Sequence, residues 1–231
     1  MSRRAPPGSR RGAAVRVKTA RGRKPSSTRW LQRQLNDPYV RAAGDAGYRS
    51  RAAFKLIELD ERFGLLKGAM RVLDLGAAPG GWSQVARQRL AAGASVTAVD
   101  ISPLQPLAGV RVLQLDALDG ASLAAMREAL GGAADLVLSD MAAPSTGHAG
   151  TDHIRVMALC EAALDIGEAM LGENGAFVAK VLKGGTERQL LERLKRGFAK
   201  VRHAKPPASR ADSAEVYVVA QGFRGAAPGP G

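Results

Sequence analysis

Short apolar runs, five to eight residues long, recur along this chain with amphipathic segments between them. The runs "RVLDL" (71–75), "SVTAVD" (95–100), "RVLQLD" (111–116), "DLVLSD" (135–140), "GAFVAKVL" (175–182), "FAKVRHA" (198–204) and "EVYVVAQG" (215–222) predict strands. Apolar positions at helical spacing predict helices near 82–91, 121–130, 153–171 and 186–196. Upstream, "STRWLQRQL" predicts a first helix. "SRAAFKLIELDERFG" predicts a second, with Ala53, Leu56 and Ile57 on one face and Gly64 as its stop. Strands that are nearly all apolar are buried on both sides, which implies a parallel sheet covered by helices on both faces. The last two strands follow each other with no helix between them, so they should pair antiparallel. The pattern therefore predicts a doubly wound α/β fold with a seven-stranded, mostly parallel sheet and one antiparallel strand. There is no internal repeat.

In an open parallel sheet, ligands bind beyond the carboxyl ends of the strands. The first strand runs into such a place, "VLDLGAAPGGWSQVA" (72–86), whose glycines at 76, 80 and 81 form a G-x-x-x-G-G pattern. A dinucleotide loop would be G-x-G-x-x-G, with the helix start directed at a pyrophosphate. Here Ala78 stands where the second glycine belongs and Pro79 stiffens the turn. The loop suits a ligand without a pyrophosphate, which argues against a nicotinamide-dependent dehydrogenase. Asp100 ends the next strand, twenty positions after Gly80, and is placed to accept from both hydroxyls of a ribose. Asp116 ends the third and is placed to reach an adenine amino group. A single aspartate of this kind is usually a strand-end cap. Three such features in strand order describe an S-adenosylmethionine site. Gly76 and Gly80 permit close backbone approach, and Trp82 either packs beside the ligand or anchors the helix. No metal site is expected.

Composition adds the charge. The chain has 231 residues, 45% of them apolar, enough for one substantial domain plus an appendage. The net charge is +13, and residues 1–36 hold eleven of the 34 Lys and Arg with no Asp or Glu. Such a segment repels itself and has few large apolar groups, so residues 1–25 are expected to be a disordered basic arm. Residues 26–223 form the expected domain, and 224–231 a disordered tail. A transit peptide would also be Arg-rich, but Pro6, Pro7, Gly8, Gly12 and Gly22 interrupt any amphipathic helix. The preferred reading is an RNA-binding arm, in which phosphate contacts release counterions. The single cysteine, Cys160, excludes an internal disulfide and suits a reducing compartment. With no apolar run near the ~18 residues of a membrane span, a cytoplasmic location is expected.

Five blocks, "YRSRAAFKL", "VLDLGAAPGGWSQ", "LVLSDMAA", "GAFVAKVLKGG" and "SRADSAEVYVVAQGF", resemble in order and spacing the FtsJ/RrmJ family of ribosomal RNA methyltransferases. The resemblance runs from about Trp30 to Phe223. It implies the Rossmann-like fold of S-adenosylmethionine-dependent methyltransferases and a catalytic tetrad of Lys55, Asp140, Lys180 and Glu215, with Asp140 also touching the methyl donor. The implied reaction is 2′-O-methylation of a uridine ribose in 23S ribosomal RNA of the large subunit. The expected partner is that RNA, with no DNA and no membrane, and the enzyme is expected to act as a monomer. Lys180 is the residue whose chemistry is most unusual from sequence alone, because an ammonium within an apolar strand must be paired or neutral. As general base it would need a pKa well below the usual 10.4. Burial and Lys55 should push it down and Asp140 up, leaving Asp140 mainly to orient it. Lys55 and Glu215 would position the ribose. Arg49, Arg51, Lys67, Lys183, Lys205 and Arg210 flank these segments as candidate phosphate contacts. Methylation of another RNA, or a non-catalytic role in ribosome assembly, are the rival readings. One departure is that the family commonly has Pro directly after "SDMA", where this chain has Ala143 before Pro144.

Overall fold

A computed structural model describes residues 15–17, 22, 25–144, 146–182 and 188–225. Seven strands, β1 (Arg71–Leu75), β2 (Ser95–Asp100), β3 (Val110–Gln114), β4 (Ala134–Ser139), β5 (Leu171–Leu182), β6 (Phe198–Ala204) and β7 (Glu215–Phe223), form one sheet in the order β3-β2-β1-β4-β5-β7-β6. Helices α1 (Pro25–Asn36), α2 (Pro38–Asp45) and α3 (Ala52–Phe63) precede it, and α4 (Gly81–Arg89), α5 (Ser122–Leu130), α6 (Ala149–Met170) and α7 (Arg188–Gly197) connect its strands. The strand order reverses direction at β1 and β4, which opens the crevice where such sheets bind ligands. Only β7 runs antiparallel to its neighbours, lying between β5 and β6. Its first residue therefore sits beside the last residue of β5, as the pairs Leu182↔Glu215 and Lys180↔Tyr217 show.

Side chains on successive strand positions alternate between two cores. Phe177 faces Met157, Leu164, Leu194 and Phe198 under α5, α6 and α7. Val178 faces Leu56, Trp82, Val85 and Tyr217 under α3 and α4. The predicted doubly wound architecture is what the chain adopts. Two local features differ from expectation. The helix α2 was not predicted, although Asp37 caps it by accepting from the Tyr39 amide at 3.0 Å and Pro38 opens it. An acidic cap followed by proline is a helix start that short apolar content obscured. Strand β5 begins at Leu171 rather than 175 because Asn174 takes a left-handed φ of 64° and the β4–β5 register shifts between Ala134 and Leu136. Its "LGENG" opening looks like a turn because it is an irregular strand.

The expected basic arm and tail fall almost wholly outside the described residues. Within the arm, Val15 and Val17 are held on α1: the Val15 amide donates to Asn36 Oδ1 at 2.8 Å, and the Val17 amide to Gln32 Oε1 at 3.0 Å. Among the described residues, no helix is long and apolar enough to cross a membrane.

Phe177 is fully buried, with Phe198 6.3 Å away between ring centres and Gly167 at its edge. Phe177→Ala should lower unfolding free energy by about 3–5 kcal/mol. A urea midpoint unchanged from wild type would contradict this packing.

Candidate active site

Strand ends and one helix deliver four charged side chains to a single point. Asp140 follows β4, Lys180 lies near the end of β5, Glu215 starts β7, and Lys55 is one turn into α3. Lys180 Nζ is 2.8 Å from Asp140 Oδ1 and 3.5 Å from Glu215 Oε1, and it donates to the Asp140 backbone carbonyl at 3.0 Å. Lys55 Nζ is 3.3 Å from Glu215 Oε2 and 3.7 Å from Asp140 Oδ2. Both lysines are nearly inaccessible, Lys55 at 7% and Lys180 at 6% exposure. Each ammonium thus touches both carboxylates, and the cluster balances two positive against two negative charges.

A fifth member is Tyr217, which sequence reasoning missed. Its fully buried hydroxyl accepts from Lys55 Nζ at 2.9 Å and donates to Asp140 Oδ1 at 2.7 Å. The signal was present, since Tyr217 stands two positions after Glu215 on one strand and so shares its face. Trp82 supports this ring at 5.5 Å, while its indole N–H donates to the Ala52 carbonyl at 2.8 Å. It fixes α4 against α3, standing behind the cavity described next rather than in its wall.

The electrostatics differ from the expectation for Lys180. Burial opposes its charge most strongly, yet Asp140 and Glu215 together hold its pKa above the ordinary lysine value. The expectation counted one carboxylate, and the structure brings two. Asp140 is buried, which would raise its pKa, but Lys180 and Lys55 hold it below the usual range. Glu215 is likewise held low by Lys55 and Lys180 against the effect of burial. The Tyr217 hydroxyl is pushed well up, first by burial and then by Asp140, so it stays a neutral donor.

Asp140 also borders a cavity of about 460 Å³ along the ends of β1, β2 and β3. Gly76, Ala78, Asp100, Asp116, Ile101 and Leu118 are among its walls. Gly76 has φ 71°, and a Cβ there would lie 2.6 Å from Met141 Cγ, so only glycine fits. Asp100 is held in place by accepting from the Ala78 amide at 2.9 Å and the Ser102 amide at 2.7 Å. Asp116 accepts from the Leu118 amide at 2.9 Å. Gly80 is the N-cap of α4 and faces Arg49, not the cavity. The concave site thus offers two anchored carboxylates on its rim as hydrogen-bond acceptors and apolar surface at Ile101 and Leu118, a combination suited to the ribose and base of a nucleoside.

The candidate phosphate contacts divide. Arg49 donates to the carbonyls of Gln105 at 2.7 Å and Pro106 at 2.6 Å, and Lys205 to those of Ala211 at 3.2 Å and Ser213 at 2.5 Å. Both are committed to holding loops. Arg51 and Arg210 share Asp37. Lys183 lies outside the described residues.

The family of FtsJ-like methyltransferases matches residues 48–223. Ribosomal RNA large subunit methyltransferase E of Paramagnetospirillum magneticum is 58% identical over 225 residues, covering 95% of this chain and 92% of that protein. The protein of the same name from Zymomonas mobilis is 60% identical over 212 residues, covering 92% and 96%. Among solved structures, a Plasmodium falciparum protein assigned as a ribosomal RNA methyltransferase superposes with a TM-score of 0.69 at 29% identity. It covers 77% of this chain and 100% of that one.

Behind the loop lies an acid that sequence reasoning did not single out. Asp74 is fully buried. Its Oδ2 accepts from the Ser83 hydroxyl at 2.6 Å, and its Oδ1 has no partner. Burial is the main cause that raises its pKa from 3.8 to about 7, with Asp140 and Asp100 adding to it. A carboxyl whose folded pKa exceeds its unfolded value favours the fold while both states are protonated, and that advantage is lost as pH rises towards the folded pKa. The unfolding free energy of Asp74→Asn relative to wild type should therefore grow between about pH 4 and about pH 7 and level off beyond. A difference that stays constant across that window, measured by urea titration, would contradict the buried acid.

Proposed function

The chain belongs to the FtsJ-like methyltransferase family, and from that premise we propose that it moves the methyl group of S-adenosylmethionine to the 2′-hydroxyl of a uridine ribose in 23S ribosomal RNA. The observation that carries this reading is the neutral cluster of two buried lysines and two carboxylates at the wall of a nucleoside-sized cavity. The large-subunit substrate is supported by the names of relatives near 60% identity that cover almost their whole length.

Asp100 is suited to the ribose hydroxyls of the donor, Asp116 to its adenine, and Gly76 to close approach of its backbone-facing edge. When bound, the sulfonium supplies an already activated methyl and one further positive charge, which favours loss of a proton from a cluster that is already balanced. The protein's remaining work is alignment and one proton. Alignment of reacting groups can lower a barrier by about 7–11 kcal/mol. With its resting proton first lost to solvent, Lys180 Nζ, the proposed base, receives the proton of the 2′-hydroxyl as that oxygen bonds the methyl carbon and the methyl–sulfur bond breaks, leaving the neutral thioether of the donor. Asp140 holds that amine through its carboxylate and its carbonyl, and Tyr217 fixes the carboxylate in turn. Lys55 and Glu215 position the ribose and set the local field.

Lys180→Ala should bind S-adenosylmethionine with near wild-type affinity in calorimetry while methyl transfer to large ribosomal subunits falls by about 10²–10⁴-fold. Mass spectrometry of RNA fragments after wild-type turnover should show one added methyl on a uridine ribose of 23S RNA. Substantial turnover by the alanine protein would remove the base assignment, and a methyl found on a nucleobase or on transfer RNA would remove the substrate.

A further inference from the structure

The orientation of the Asp100 carboxylate depends on two loops at once. Its Oδ2 accepts from the Ala78 amide at 2.9 Å, in the loop after β1, and its Oδ1 from the Ser102 amide at 2.7 Å, in the loop after β2. Each carboxylate oxygen has two lone pairs, so each amide leaves one free and fixes where it points. Ala78, Asp100, Ile101 and Ser102 all border the 460 Å³ cavity. Beneath them Leu104 packs with Ala77 and Ala98. If either loop shifted, the carboxylate would turn with it.

One side chain outside the cavity spans both loops. Arg49 Nη1 donates to the Gln105 carbonyl at 2.7 Å and the Pro79 carbonyl at 3.4 Å, and Nη2 donates to the Pro106 carbonyl at 2.6 Å. Pro79 follows Ala78 directly, and Gln105 lies in the loop that begins beyond Asp100. The guanidinium lies against Gly80, where a Cβ would come 3.0 Å from Nη1 and 3.1 Å from Cδ. The backbone that carries the fork is fixed as well. The Arg49 amide donates to Gln84 Oε1 at 3.0 Å, and Gln84 Nε2 donates to the Gly47 carbonyl at 2.8 Å. With the Trp82 indole on the Ala52 carbonyl at 2.8 Å, residues 47–52 are pinned to α4, the helix that the β1 loop opens. A planar cation with several donors can join carbonyls from two loops at fixed spacing, which a single ammonium cannot do equally.

We infer that Arg49 is a positioning residue for the methyl donor, a strap that ties the β1 and β2 loops from behind and so aims Asp100 at the donor's ribose. The inference rests on the proposed donor site. Arg49 acts through the Ala78 and Ser102 amides and has no need to touch the donor. Without the strap the two loops spend less time in the binding arrangement, and affinity falls by that fraction. Lys55 and Lys180 are held by their own carboxylates, so the chemistry of donor already bound should be preserved.

The test uses full-length protein. S-adenosylmethionine and adenosine are titrated separately by calorimetry, and methyl transfer is measured on large ribosomal subunits from cells lacking the modification. Arg49→Ala should weaken both ligands by a common factor of about ten- to hundredfold and raise KM for S-adenosylmethionine to match, while kcat at saturating donor holds. Arg49→Lys keeps the charge without the fork, so its loss should be smaller than that of alanine and still measurable. It decides the question if the alanine protein fails to fold. Arg224 also holds two carbonyls, those of Lys195 and Arg196, at the end of β7 away from Glu215. Arg224→Ala should therefore leave both affinities at wild type. Wild-type affinities in both Arg49 variants would overturn the strap. So would weakened S-adenosylmethionine with adenosine unaffected, since Arg49 would then pair directly with the donor's carboxylate. Wild-type protein that binds neither ligand would defeat the donor reading and the strap with it, whereas a failure confined to the variants defeats the strap alone.

Discussion

Two buried ammonium groups lie against two carboxylates, and neither lysine could remain charged there alone. Removing one partner from a buried ion pair costs about 3–5 kcal/mol, because the other charge is left stranded. Here the cross-pairing of Lys55 and Lys180 with both Asp140 and Glu215 spreads that dependence over all four. The Tyr217 hydroxyl completes the set by linking Lys55 to Asp140. Much of the fold can be understood as the means of bringing these groups to one rim. Parallel strands carry Asp140 and Lys180 to the carboxyl edge of the sheet. Reversing β7 puts the beginning of that strand, and so Glu215, at the same edge.

The same edge divides two tasks. On the side of β1, β2 and β3, Gly76, Asp100 and Asp116 shape a cavity fit for a nucleoside. On the side of α3 and the loop before β7, Arg51 and Arg210 are both held on Asp37. Asp140 stands between, bordering the cavity while its carboxylate holds Lys180.

The sheet was legible because its inner strands are apolar at most positions and its helices are not. β7 is the clearest example, since the absence of a helix after β6 required an antiparallel return. Lys180 was legible for the same reason, as a charge inside an apolar strand. Asp37–Pro38 announced α2, but only eight residues of helix followed, too few for a periodic signal. Tyr217 was overlooked because an aromatic residue in a strand is ordinarily core, and this one is both core and hydrogen-bonded. The pKa of Lys180 was misjudged because strand position alone did not disclose that Glu215 would reach it at 3.5 Å. Distances between side chains on separate elements are set by packing, and the sequence pattern carries no measure of them. Arg49 illustrates the same limit, since its neighbours in sequence do not reveal the loop carbonyls it holds.

The central claim is that Lys180 takes the proton, and that the two carboxylates set how tightly it keeps its own. The pH dependence of single-turnover methyl transfer, compared between wild type and Glu215→Gln, tests it most directly. Loss of one carboxylate should loosen the resting proton on Lys180, so the rising alkaline limb of the variant should lie at lower pH than that of wild type. Coincident profiles, or a limb displaced to higher pH, would contradict the account.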